Sequence, residues 1–500
     1  MEIKFENKLV SSYREVSHQL KRIQESAESV VPDTNDDIGR IASIHTSVLL
    51  KSKDITSRGV QVTGEVGAVL LYITESENKV SYLRLSKSFT MEFETGEMDA
   101  DTIPQINLSV SNAEARVLNP RKVSVTVELA GELSCYRQES VSIEENLPEC
   151  DCPGIHAKAD SEELMIPNAV CEKTFALNEQ FTFPNGKPAP SELVFQNADF
   201  CIDESQYIGS KIIIKGNVDI ELCYLSREVN YPIRTKFTTP FSQIIDTGEE
   251  EMDSCSVIIQ LTSAYYELID TINGDKAMDA ELHAVAQVVS RKCQNISYIS
   301  DAYSNCMPTV CNTKALQFSE MSETKKINLC SDEHISIAED CQDVLSVFAS
   351  VTQAAAIQGK FSIVTCLDIL YESKSGTLSS ARRLVNLEQE SEETGMRLMG
   401  VRISDISVKP EGEAIESHLN IEMSYQTINT REFCKVTEME LDEEKEYDLS
   451  KFPSLFMVKQ DGECLWELAK SYHSSVESIE NYNAATAGEM QGLLLIPREI

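Results

Sequence analysis

Apolar and polar residues alternate along three stretches of the chain that share one layout. Residues 58–72 (RGVQVTGEVGAVLLY) and 211–224 (KIIIKGNVDIELCY) each place a glycine, Gly64 or Gly216, eight positions before a tyrosine, Tyr72 or Tyr224. Residues 359–371 (GKFSIVTCLDILY) end the same way at Tyr371 but carry Ile363 where the glycine would stand. The tyrosines recur about every 150 residues, which marks an internal repeat. Downstream of each lies a further alternating stretch, at 123–129, 280–288 and 417–425. Alternation with a period of two buries one strand face and wets the other, so each repeat is expected to be antiparallel sheet, closed as a sandwich or an open barrel. Upstream of each, residues 36–41, 191–195 and 340–347 combine a polar start with apolar residues read as helically spaced, which predicts a short helix.

The last fifty residues change character. A short strand at 456–458 and a turn at Gly462 precede Leu465, Leu468, Ala469 and Tyr472 at helical spacing. Val476, Ile479, Glu480, Tyr482 and Asn483 outline a second short helix, and 493–497 reads as a final strand. Turn-rich or charged stretches at 147–154, 301–308 and 441–448 separate these parts. The expected domains are 1–150, 160–305 and 306–445, the third divergent, followed by a βααβ module over 453–498. The fold class is mainly β.

Charge narrows the partners. Lys and Arg total 44 against 81 Asp and Glu, a net charge of −37. A chain this anionic repels phosphate backbones and acidic lipid surfaces, so neither nucleic acid nor membrane insertion is expected. The opening MEIKFENKLVSSYREVSHQL lacks the basic start and apolar core of a signal peptide. Several of the 15 cysteines lie inside apolar strands, as Cys223 and Cys366 do, which fits reduced, buried thiols in a cytosolic compartment.

Catalytic motifs are missing. None of the seven histidines belongs to an HExxH, and no Walker loop, GxSxG or GxGxxG occurs, so the expectation is no enzyme and no cofactor. Cys150, Cys152 and His156 are too tightly spaced for a zinc site and read as linker. His283 and His418, at equivalent places in two repeats, are expected to face solvent. The acidic runs at 248–251 and 442–444 read as solvated loops.

Two local resemblances add to this. Val30, Val31, Pro32, Asp33, Asp36, Asp37, Ile38 and Ile41, followed by residues 58–64 and Asn119 to Val123, resemble the SPOCS domain of spore-coat-associated proteins. The second and third repeats depart from that motif and are assigned to it by order and period. Gly462, Glu463, Cys464, Leu465 and Trp466, with residues 479–483 and 495–497, resemble a LysM module, although Glu463 and Cys464 replace the usual Asp and Thr. Repeated SPOCS-like units with a C-terminal LysM are similar to SipL-like spore coat morphogenetic proteins. That resemblance implies a scaffold at the forespore surface, in the mother-cell cytoplasm and spore coat. It also implies that the module binds the coat morphogenetic ATPase, stage IV sporulation protein A. The alternative it leaves open is a cell-wall protein whose LysM binds peptidoglycan through N-acetylglucosamine.

The expected binding surface comprises Gly462, Glu463, Cys464, Leu465, Trp466, Glu467, Lys470, Ser471 and Asn483, together with the loop 484–490. Trp466, the single tryptophan, is read either as closing the small core or as anchoring a partner.

Overall fold

A computed structural model describes residues 2–498 except 97, 148–153, 185, 250, 272–273, 443, 449–450, 460–461, 463 and 485–492. The described chain is mainly β, as the alternation predicts. α-Helix is confined, among the described residues, to α1 (Leu465–Ser471) and α2 (Val476–Ala484), which lie between strands β21 (Leu455–Lys459) and β22 (Leu493–Pro497). No described helix is long and apolar enough to cross a membrane.

Strands β1 (Glu2–Lys4) to β20 (Ala414–Leu441) pair only antiparallel. β2 (Glu6–Val30) and β6 (Ile103–Asn119) flank β7 (Lys122–Asn146), while β3 (Ile38–Thr56) and β5 (Val80–Phe93) flank β4 (Gly59–Thr74). The same scheme recurs: β8 (Ile155–Thr182) and β12 (Ser254–Asp270) flank β13 (Lys276–Ser304), and β9 (Pro190–Ile208) and β11 (Ile233–Asp246) flank β10 (Lys211–Ser226). In the last group β16 (Cys341–Ile357) and β18 (Leu378–Glu390) flank β17 (Lys360–Ser373). There β20 pairs β19 (Met396–Glu411) and, on its other edge, both β14 (Thr309–Met321) and β15 (Lys325–Ser336). β1 also joins β20, with Ile3 opposite Met439.

Each group of strands encloses a core between its two sheets. Val60, Val62, Val66, Leu70 and Tyr72 on one face of β4 meet Val123, Val125, Val127 and Leu129 of β7. β10 meets β13 through Ile212, Ile220, Tyr224, Leu282 and Val288, and β17 meets β20 through Phe361, Ile369, Ile421 and Met423. Each such side chain contributes about 1.5–3 kcal/mol by leaving water, and this term fixes the register, because a one-residue slip would expose the whole row.

The three predicted short helices are strands. Residues 36–41, 191–195 and 340–347 run into or lie within β3, β9 and β16. The pairing explains the misleading spacing. β3 skips a partner at Gly39 and again at Ala42, β9 at Ser191 and Val194, and β16 at Gln342 and Leu345. A bulge inserts one extra residue into a period of two, so two bulges three residues apart give apolar positions the three-residue step of a helix. Residues 301–304, expected to lie in a boundary segment, are also strand: β13 runs on to Ser304, paired with residues 155–158 of β8.

A further bulge accounts for the glycines. Opposite Gly64 the partner strand shifts register between Leu50 and Ser52, and a side chain at Gly64 would meet the Leu49 carbonyl at 2.5 Å. At Gly216 a Cβ would lie 1.9 Å from the Cys201 carbonyl oxygen, again at a register shift. In β17 the shift lies opposite Val364 and Thr365, two residues nearer Tyr371, which frees Ile363 to carry a fully buried side chain.

The second bulge residue of each pair lies outside the main core cluster of its own strands. Ala42, Val194 and the partly buried Leu345 meet in one cluster with Leu71, Ile73, Phe195, Cys223, Leu370 and Leu378. Hydrogen bonds close this junction as a ring. Arg84 of β5 donates to the carbonyls of Leu193 and Val194, Arg234 of β11 to that of Val347, and the Ser380 hydroxyl of β18 to that of Ile41 (3.2 Å). His45 sits in the ring, its imidazole 5.0 Å from the Phe195 ring and 4.1 Å from that of Phe348, and hydrogen-bonded to Ser43 (2.9 Å). Burial, reinforced by the charge of Arg234, pushes its pKa down to about 3, so the ring is neutral. Cys223 and Cys366 are buried free thiols, and burial raises them to about 12 and about 11.

Candidate partner-binding surface

The C-terminal fold is built from few residues, each with a defined task. β21 and β22 pair from Leu455 opposite Pro497 to Lys459 opposite Leu493, and one face of this ribbon, with Phe456, Val458, Leu494 and Ile496, packs on the helices. Gly462 has φ +93°, a left-handed backbone that suits glycine, and it delivers the chain to α1. Cys464 is the residue before α1, extended at φ −77° and ψ 151°, and its thiol makes no capping hydrogen bond. A hydroxyl there would accept one, which is the physical consequence of cysteine in place of threonine. α2 is capped by Ser475, whose hydroxyl accepts from the Ser478 amide (3.1 Å).

The predicted surface residues divide. Gly462, Cys464, Glu467, Lys470 and Ser471 are exposed, and Leu465 and Trp466 are partly buried against the core. Asn483 is engaged internally: its amide donates to the carbonyls of Ile479 (2.6 Å) and Leu495 (2.7 Å), and its oxygen accepts from the Leu495 amide (2.9 Å). It ties α2 to β22. Glu463 and residues 485–490 lie outside the described residues.

Two residues that the sequence reading placed in a linker complete this surface. Asp301, near the end of β13, accepts from the Trp466 indole N–H (2.8 Å) and from the Lys470 ammonium at both oxygens (3.0 and 2.7 Å). Burial alone would raise the Asp301 carboxyl, but these hydrogen bonds and the Lys470 charge hold it below the ordinary carboxylate value. Tyr303 packs its ring edge-on to Trp466 with centroids 4.8 Å apart and donates its hydroxyl to the Ser474 carbonyl (2.7 Å). The signal available in the sequence was the alternation of Asp301 and Tyr303 about Ala302, hidden by the Ser, Asn and Pro that follow.

His283 is paired with Glu281 (2.8 Å) and His418 with Asp332 (2.6 Å), both open to solvent. Cys150 and Cys152 lie outside the described residues, and among the described residues no three His, Cys, Asp or Glu are grouped to hold a metal. A polar cleft of about 740 Å³ opens between β6, β9, β12, β16 and β19. Asp199 lines it, exposed and directly across the strand pair from Asp219. The surrounding protein, with the Asp219 charge, raises its carboxyl above the ordinary value against the pull of Arg402. Arg402 itself donates to Asp219 (3.2 Å) and Glu422 (2.9 Å), joining β10 to β20.

With this geometry in hand, comparison with known families gives one point of attachment. Residues 191–269 match the family described as SipL, SPOCS domain. This segment is related to a sporulation protein family. The match spans β9 to β12, in the second group of strands, whereas the motif resemblance is carried by the first. No curated protein and no solved structure matches the chain.

Proposed function

We propose that the chain is a non-enzymatic scaffold of endospore coat assembly. In this reading β2–β7, β8–β13 and β14–β20 are three SPOCS-like units, and residues 453–498 are a LysM-like module. The module recruits the coat morphogenetic ATPase, stage IV sporulation protein A, at the forespore surface in the mother-cell cytoplasm. The observation that carries the reading is the SPOCS match at 191–269 within a strand pairing scheme that recurs three times. The order of strand, two helices and strand in β21, α1, α2 and β22 supports the module. Its exposed apolar side chains, Met457, Tyr482 and Leu493, favour a protein contact, because exposed apolar area tends to mark interaction surfaces.

The test is capture of the purified ATPase by the full chain and by a chain lacking residues 453–498. Binding by the first and loss in the second is the expected result. Retention of binding after the deletion would move the partner site to the sheets. Capture by insoluble peptidoglycan with no ATPase binding would replace this reading with the cell-wall one.

A further inference from the structure

The end of β13 is shaped to meet the C-terminal fold. Pairing with β8 skips Ser300, and the bulge redirects the strand. Asp301 and Tyr303, two positions apart, then fall on one face. Tyr303 is 2% exposed and clusters with Leu468, Ala469, Ile479 and Ile496, so a residue of the large sheets completes the small core. Asp301 takes up the Trp466 indole N–H and the Lys470 ammonium together. The α1 face that would meet a partner is thus already filled, by one carboxylate and one aromatic ring.

We infer that Asp301, at the end of β13, is an internal competitor for the α1 face. A partner that engages Trp466 and Lys470 must displace its carboxylate with the same chemistry, an extended protein segment bearing a carboxylate, while Tyr303 stays in the small core. This rests on the reading of residues 453–498 as a partner-binding module. The contact is suited to exchange. The ion pair is partly open to water, with Lys470 at 40% and Asp301 at 27% side-chain exposure, and exposed pairs contribute little that a competing carboxylate could not replace.

Trp466 is the single tryptophan, so its fluorescence reports this contact without a label. In the full chain, Asp301→Asn is expected to raise acrylamide quenching of Trp466 and to tighten binding of the purified ATPase about five-fold, the low end of ordinary site coupling. Lys470→Met, which removes the same contact from the helix side, must raise quenching as well. Unchanged quenching in both variants would overturn the inference. So would freed Trp466 fluorescence with unchanged or weaker ATPase binding in Asp301→Asn. If the wild-type chain does not bind the ATPase, the wider reading fails and the competitor role falls with it. The quenching measurement, which needs no partner, would still show whether the contact holds.

Discussion

The large sheets and the C-terminal fold are stabilised by different means. Between residues 2 and 441, strands far apart in sequence pair into antiparallel sheets over large buried clusters, and a further apolar cluster, ringed by Arg84, Arg234 and Ser380, joins them. The described part of 455–497 is built from a ribbon of two five-residue strands and two helices of at most nine residues, against which Tyr303 and Asp301 of the large sheets dock. A fold this small cannot bury a core of ordinary size, and completing it from outside is one physical solution. The sheets depend on close backbone approach at a few positions. The small fold depends on its neighbour.

The largest effect is expected at a bulge. Gly216→Val puts atoms where the Cys201 carbonyl stands, and the resulting overlap should cost about 3 kcal/mol or more. Ile363→Val, at the matching repeat position without the bulge, should cost only about 1 kcal/mol. Urea unfolding of the two variants measures the contrast, and equal losses would remove the bulge explanation. Next comes Tyr303→Ala, which truncates a buried aromatic at a cost of about 3 kcal/mol. Here the loss should be local. Hydrogen exchange is expected to speed up across α1 and α2 while β4, β10 and β17 keep their protection.

This contrast also explains what could be read in the sequence. β4, β10 and β17 were legible because Val60, Val62 and Val66, or Ile212, Ile214 and Val218, alternate without interruption. β3, β9 and β16 were misread because the bulges at Gly39 and Ala42, and their counterparts, impose a three-residue step that depends on pairing, not on local preference. The order of elements in 455–497 was legible from spacing alone. Asp301 and Tyr303 were not, since nothing local to β13 shows that its end meets α1 some 160 residues later. Asn483 was placed on the surface through the resemblance of 479–483 to a LysM module, and its side chain makes three hydrogen bonds to Ile479 and Leu495.

The junction offers a pH-dependent test of the large sheets. His45 is neutral when folded, with its pKa pushed down to about 3, while an unfolded chain takes up the proton near 6.5. A depressed pKa contributes stability above the unfolded value and loses it as pH falls toward the folded one. Between pH 7 and pH 5 the wild-type chain should lose about 2 kcal/mol through this group. His45→Phe keeps an aromatic ring between Phe195 and Phe348 and should reduce the loss over that range by the same amount, as measured by urea unfolding at the two pH values. An unaltered pH dependence would show that the imidazole is not the titrating group at the junction.

The smallest expected effect is Lys470→Glu, and it bears on how the small fold meets the large one. Lys470 lies in the last turn of α1, where a cation favours the helix dipole, and its partner Asp301 is itself bound by Trp466. Reversing the charge sets two carboxylates against each other, yet both positions are partly open to water, so the cost should stay at about 1 kcal/mol or less. Trp466 should then lose its acceptor as Asp301 turns away, and its fluorescence should become easier to quench. The contact is also sensitive to acid, because Asp301 is held below the ordinary carboxylate value and the pair persists until pH falls through that lowered value. In the variant this acid step should disappear from the Trp466 titration. If the step persists with Lys470 reversed, the indole hydrogen bond and Tyr303 hold the C-terminal fold in place without the ion pair.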